Sequence, residues 1–267
     1  MATLNNGIQF TGSIGNITGY TRAGSNKNFA RSKGSISREK IMHDPALELT
    51  RQNATEFGGC GKAAGTVRQA LLPLAHLAAP GFNINSTAAK MIKAIQLLDE
   101  EGSRGQRNIC LSKHRKLMEG FSLNPLLAFN SIVLPAITTS IDREAGIAQV
   151  QLPALHPGIN LLFPWQYPAY RFILHVGVVA DTLYSAVGYQ ATPRTELPYA
   201  KPVYLAWQYT RHIFEGATVP IPLLNKEYLL PSHTLLLSAG IEMGTPVTDH
   251  LVNAEKKKGC AKVIAVA

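Results

Sequence analysis

The chain has 267 residues, 46% of them hydrophobic and only 16% charged, with a formal net charge of +9; that balance excludes an intrinsically disordered chain, which combines low hydrophobicity with high charge. Three widely spaced cysteines, Cys60, Cys110 and Cys260, exclude a disulfide framework and a Cys-x-x-Cys metal site. Residues 1–120 carry 16 Lys+Arg against 8 Asp+Glu and residues 121–267 carry 10 against 9, so the basic character belongs to the N-terminal part and reads either as a solvated basic surface or as a match for an acidic partner, whether nucleic acid, an acidic protein face or anionic lipid.

In chain order, residues 7–34 read as β-structure. Ile8, Phe10, Ile14, Ile17 and Tyr20 are punctuated by Gly12, Gly15 and Gly19. Arg22, Lys27, Arg31, Lys33, Arg38 and Lys40 follow within 19 residues, opposed only by Glu39, which predicts a basic hairpin or arm turning at Gly24-Ser25-Asn26. Asp44 and Pro45 mark a helix start. The helix they open runs toward Pro73, with apolar or small residues at Leu47, Ala54, Phe57, Gly61, Ala64, Val67 and Leu71. Within it Ala54, Gly58, Gly61 and Gly65 form a small-residue stripe. Helical glycine costs up to about 1 kcal/mol relative to alanine, so the stripe predicts close approach of another backbone, in the first instance a second subunit; the alternative is that Gly58-Gly59 ends one helix and another begins near Lys62. A second helix is expected over about 86–100, capped by Ser86 or Thr87 and burying Ala89, Ile92, Ile95 and Leu98. Residues 109–119 read as extended, then helical.

Beyond residue 120 prolines become frequent and short alternating runs recur. Residues 136–141, 147–152, 170–179, 203–207, 218–222, 233–241, 249–254 and 261–267 are strand candidates, with 142–146 and 256–259 as hairpin loops. The expected fold class is therefore α+β. A basic β-hairpin arm and helical hairpin (1–120) precede an antiparallel β-sandwich of immunoglobulin-like size (121–267).

Motifs for chemistry are scarce. Gly59-Cys60-Gly61-Lys62-Ala63-Ala64 matches a dinucleotide fingerprint, but the preceding residues have a helical pattern and no βαβ unit follows. No two of the eight histidines have metal-ligand spacing; His175 sits in an apolar strand and reads as core, and Asp249-His250 would point to opposite faces of a strand. No nucleophile elbow is present. No catalytic residue, metal or cofactor is therefore expected, and the protein is not read as an enzyme. Aromatic residues gather at Phe163, Trp165, Tyr167 and Tyr170 between prolines, either as a contact loop or as a plug at the end of the sandwich. A second cluster, Tyr199, Tyr204, Trp207 and Tyr209, reads as core or interface.

The opening Gly7-Ile-Gln-Phe-Thr-Gly-Ser-Ile-Gly-Asn-Ile-Thr-Gly-Tyr, with Arg22-Ala-Gly-Ser, Arg31-Ser-Lys-Gly, Phe57-Gly-Gly-Cys, Ser140-Ile-Asp-Arg-Glu-Ala-Gly and Gly240-Ile-Glu-Met-Gly-Thr-Pro-Val, resembles a group of Bacteroidetes proteins that carry no assigned activity. The resemblance implies a bacterial cytosolic origin and brings no catalytic residue. No apolar run approaches the roughly 18 residues of a membrane helix, and the N-terminus has neither the basic nor the apolar segment of a secretory leader. A cytoplasmic protein is expected, exported only as part of a larger particle. The leading functional expectation is a structural protein that assembles with copies of itself, as a filament, tube, shell or phage-like component. A nucleic-acid-associated protein using the basic arm, and a binding module using the 163–170 loop, are the alternatives.

Overall fold

The computed structural model describes residues 10–22, 25, 27–33, 36–192, 196–248 and 251–267, and the backbone alone at 2–4 and at 192. Contacts divide the chain into two compact units, Met1–Gln52 and Asn53–Ala267. The helices expected to accompany the N-terminal arm thus fall, from Asn53 onward, in the same unit as the C-terminal strands.

The first unit is a four-stranded antiparallel sheet followed by short helices. Strands β1 (Ala2–Leu4), β2 (Gly12–Ile14), β3 (Ile17–Thr21) and β4 (Asn28–Ser32) lie in the order β1-β4-β3-β2. Gly19 is required on β3 because Phe10 lies directly over its Cα. Helix α1 (Arg38–His43) is capped by the Ser37 side chain, which accepts from the Lys40 amide at 3.1 Å. Arg38 and Lys40 therefore leave the hairpin and sit on α1. Asp44 caps a 3-10 turn, Pro45–Leu47, that runs straight into α2 (Glu48–Ala70). The start expected at Asp44-Pro45 is correct in place, and the helix runs on unbroken, so the alternative of a break at Gly58-Gly59 does not occur.

In the second unit α2 ends at Ala70 and leads into a 3-10 stretch, Leu72–Leu77, containing Pro73. Helix α3 (Ile84–Leu97) is capped by Asn83 rather than Ser86 or Thr87, and buries Ile84, Ala88, Ile92, Ile95 and Gln96, leaving Leu98 exposed. After 3-10 turns at Leu111–Lys113 and Arg115–Met118 comes the short α4 (Phe129–Ile132). The strands are β5 (Thr138–Asp142), β6 (Ile147–Leu152), β7 (Ala169–Ser185), β8 (Gly188–Thr192), β9 (Val203–Tyr204), β10 (Gln208–Tyr209), β11 (Ala217–Pro222), β12 (His233–Thr248) and β13 (Leu251–Val266). They form a six-stranded sheet, with core order β10-β7-β12-β13 and β8 and β9 also on β7, and a three-stranded sheet β11-β6-β5; every pairing is antiparallel.

Strand periodicity sorts the core into two layers. Phe172, Leu174 and Val176 of β7 and Leu235, Leu237, Ala239 and Ile241 of β12 meet Ala148, Val150, Leu152 and Ile221 of the smaller sheet. The intervening positions, Ile173, Val179 and Leu236, with Ala261 and Val263 of β13, meet the helices through Val67, Leu71, Leu74, Ile92 and Ile95. Gly177 and Gly240 let the helical layer come close: a Cβ on Gly177 would overlap the Ala70 carbonyl, and one on Gly240 would lie 2.6 Å from Leu77.

The sandwich expectation holds, but its strands are not all short. β7 has 17 residues, β12 and β13 have 16 each. The loop expected at 256–259 is instead an excursion within β13: Ala254 pairs with Gly244 and Gly259 with Glu242, so four residues of β13 stand opposite Met243 alone, with Lys257 at φ 59°. Residues 249 and 250, the start of one expected strand and the Asp-His pair, lie outside the described residues.

Candidate functional site

The sequence of α2 puts two kinds of glycine on one helix. Its core-facing side in the second unit is Glu56, Gly59, Cys60, Ala63, Ala64, Val67 and Ala70. Gly59 has an internal reason, since a Cβ there would lie 2.7 Å from the Tyr189 ring. Gly58, Gly61 and Gly65 show none, because among the described residues a Cβ on any of them meets nothing within 4 Å. Ala54, Gly58 and Gly61 are exposed and Gly65 is half-buried. At 100° per residue the four positions lie opposite the buried face. Phe57, expected on the apolar face, points outward and is 77% exposed.

A polar network lies beneath the helix. Glu56 is buried, and its carboxylate accepts from Lys93 Nζ at 2.6 Å, the Gly105 amide at 3.0 Å and Arg107 Nη1 at 3.5 Å. Burial pushes this carboxyl up, but the hydrogen bonds from Lys93 and Gly105 and the nearby Lys93 and Arg107 charges together hold it below the usual range. Gln96 receives the Cys60 thiol at 3.2 Å and donates to Tyr189 Oη at 3.0 Å, while Tyr189 donates to the Arg107 carbonyl at 2.8 Å. Burial pushes the Cys60 thiol and the Tyr189 phenol up, the latter to about 12, so neither is a nucleophile at neutral pH. The network holds α2, α3, the 105–107 segment and β8 together. Glu56 was not singled out in the sequence, although it falls on the same helical stripe as Cys60, Ala63 and Val67.

The Gly59–Ala64 motif lies in the middle of α2, with no strand before it, and so lacks the geometry of a dinucleotide site. Among the described residues no group of three or more His, Cys, Asp or Glu is placed to hold a metal ion. His175 is buried, as expected of a core residue, and burial lowers its pKa to about 4.

In the first unit Arg22, Lys27, Arg31, Lys33, Arg38 and Lys40 are exposed. Tyr20 on β3 stacks on Phe29 of β4 with ring centroids 5.8 Å apart. The Arg22 guanidinium lies 4.7 Å from the Phe29 ring and that of Arg31 lies 5.8 Å from Tyr20. The sheet thus presents a row of cation, two rings and cation, flanked in sequence by Lys27 and Lys33. Phe29 is the one aromatic residue between Arg22 and Lys40 in sequence; the register Tyr20↔Phe29 supplies the second.

The 163–170 segment is drawn inward. Tyr170 is fully buried in β7, with Phe163 against it at 4.8 Å, and Phe163, Trp165 and Tyr167 pack on the sandwich core. Tyr170 is therefore a core residue and not part of a contact surface, because the strand it opens begins one residue earlier, at Ala169. The second aromatic cluster has a different task. Tyr204 and Trp207 each lie about 4.5 Å from the Arg171 guanidinium, at 4.6 and 4.5 Å. Arg171 binds the buried Glu242, whose other oxygen takes His76 Nε2 at 2.8 Å. Among the described residues, no helix is long and apolar enough to cross a membrane. No family model, no curated protein and no solved structure matches the chain.

Proposed function

We propose that this chain is an assembly subunit that packs the outer face of α2, Ala54, Gly58, Gly61 and Gly65, against the backbone of a second copy. The observation that carries this reading is the contrast within one helix. Gly59 is accounted for by Tyr189, whereas Gly58, Gly61 and Gly65 weaken the helix by up to about 1 kcal/mol each with no neighbour among the described residues to account for them. The exposed Phe57 beside them and the low charge of the whole chain support the same reading. Light scattering and analytical ultracentrifugation of the full chain test it. Self-association that rises with concentration is expected, weakened at least tenfold by the triple change Gly58→Ala, Gly61→Ala, Gly65→Ala, while the dilute variant melts at a higher temperature than wild type. A wild type that stays a monodisperse monomer at high concentration and low salt, or a triple variant that associates as strongly, rules the reading out.

The Arg22–Phe29–Tyr20–Arg31 row favours a second reading, contact with single-stranded nucleic acid through stacking and phosphate pairing. Binding to an oligonucleotide that falls steeply with salt, and is lost in Arg31→Glu/Lys33→Glu and weakened in Tyr20→Ala, is the expected behaviour. Binding indifferent to salt or to these changes would exclude it.

A further inference from the structure

The flank of α2 that turns toward α3 borders a cleft of about 710 Å³, within the range of about 300–1,000 Å³ that small-molecule sites occupy. This flank lies about a quarter turn around α2 from the outer glycine face, with only Gly61 common to both. Phe57, Cys60 and Gly61 on α2 and Ala89 on α3 supply an apolar lining. Lys90 and Lys93 stand along the α3 side, and Asn83 and Ser86 place the first turn of this 14-residue helix, its positive end, in the same wall.

The two lysines differ. Lys93 is committed to Glu56 at 2.6 Å. Lys90 is exposed and, among the described residues, makes no ion pair. Among the described residues no Asp or Glu lines the cleft, and Glu56 is paired with Lys93 and Arg107. An apolar trough with an uncommitted cation at its rim and no opposing carboxylate is complementary to a ligand with an apolar body and an anionic head.

We propose that this cleft binds an alkyl carboxylate, its chain laid against Phe57 and Ala89 and its head group held by Lys90. Sodium dodecanoate, titrated into the full chain below its micelle concentration and followed by calorimetry, is the probe, with dodecyltrimethylammonium as the head-group control. Dodecanoate is expected to saturate at one per chain, at least tenfold more tightly than the cationic control. Lys90→Glu is expected to weaken it tenfold or more, and Gly61→Leu, which fills the cleft from an open helical position, to abolish it. Circular dichroism and melting curves confirm that both variants fold. Absence of saturation, equal binding of the two head groups, or a Lys90→Glu variant that binds as wild type each overturns the proposal.

Discussion

Two buried ionisable groups write their surroundings into the pH dependence of stability, in different windows. Glu56 has its folded pKa held below the carboxylate range, so its contribution is full above the unfolded value of about 4.5 and is lost as pH falls through the lower folded value. Glu56→Gln keeps the shape but removes the charge that Lys93, Arg107 and the Gly105 amide address. A loss of about 2 kcal/mol at pH 7 is expected in urea unfolding, shrinking below pH 4 as the wild-type carboxylate also protonates. His175 acts nearer neutrality. It is neutral in the fold with its pKa lowered from 6.5 to about 4 by burial, which the Ala70 backbone only partly offsets, and among the described residues its Nδ1 has no partner. The unfolded chain binds a proton there that the folded chain refuses, so stability falls as pH drops from about 6.5 toward 4, by on the order of 3 kcal/mol over that span. In His175→Met this limb should become shallower, with the buried His233, whose pKa is also lowered by burial and by the nearby Arg143 charge, carrying what remains; a slope unchanged by the substitution would assign it to other groups. At this scale the sequence was half legible. His175 betrayed itself by sitting in an apolar run, and the charges of the N-terminal arm were plain. Glu56, Arg171 and Glu242 were not, because each is satisfied by partners distant in the chain, and linear spacing carries no trace of such pairings.

The glycines of single elements can be separated by what faces them. Gly58→Ala adds a methyl into open space and should stabilise the dilute protein by up to about 1 kcal/mol. Gly59→Ala, one position along the same helix, drives a methyl into the Tyr189 ring and should instead cost about 1–2 kcal/mol. Opposite signs at adjacent positions, read from paired denaturant melts, are the expected result; equal signs would mean that α2 does not seat on Tyr189 as described. Elements themselves were legible where a local rule governs them. The β5–β6 hairpin, β11 and the start of the long helix followed from alternation, turn residues and an Asp-Pro cap. Where sequence reading fell short, tertiary support had overridden local signals. β7 continues past Val179 through Asp181 because that carboxylate takes the Ser112 amide at 2.8 Å and the Ser112 hydroxyl at 2.5 Å. β13 survives a lysine-rich excursion because its pairing with β12 resumes on both sides. α3 starts two residues early because the Asn83 side chain accepts from the Ser86 amide.

At the scale of the chain the division falls at Gln52/Asn53, not where the composition changes near residue 120. Composition tracks the change from helix between Arg38 and Leu97 to strand from Thr138 onward, whereas compactness follows which apolar faces need one another. The α2–α3 face and the six-stranded sheet share Val67, Leu71, Leu74, Ile92, Ile173, Leu236 and Val263 in one buried cluster, so neither layer can shed the other without exposing it. A fragment beginning at Asp44 keeps the cap and the whole of α2 together with every residue of that cluster. It should therefore unfold in one cooperative transition, with a melting temperature within a few degrees of the full chain. The same fragment separates the two functional readings, because it retains the α2 outer face and lacks the Arg22–Phe29–Tyr20–Arg31 row. Association preserved with nucleic-acid binding gone would place the two activities in separate units. Loss of association from a fragment that still melts cooperatively would move the self-contact from α2 to the first unit and defeat the assembly reading as stated.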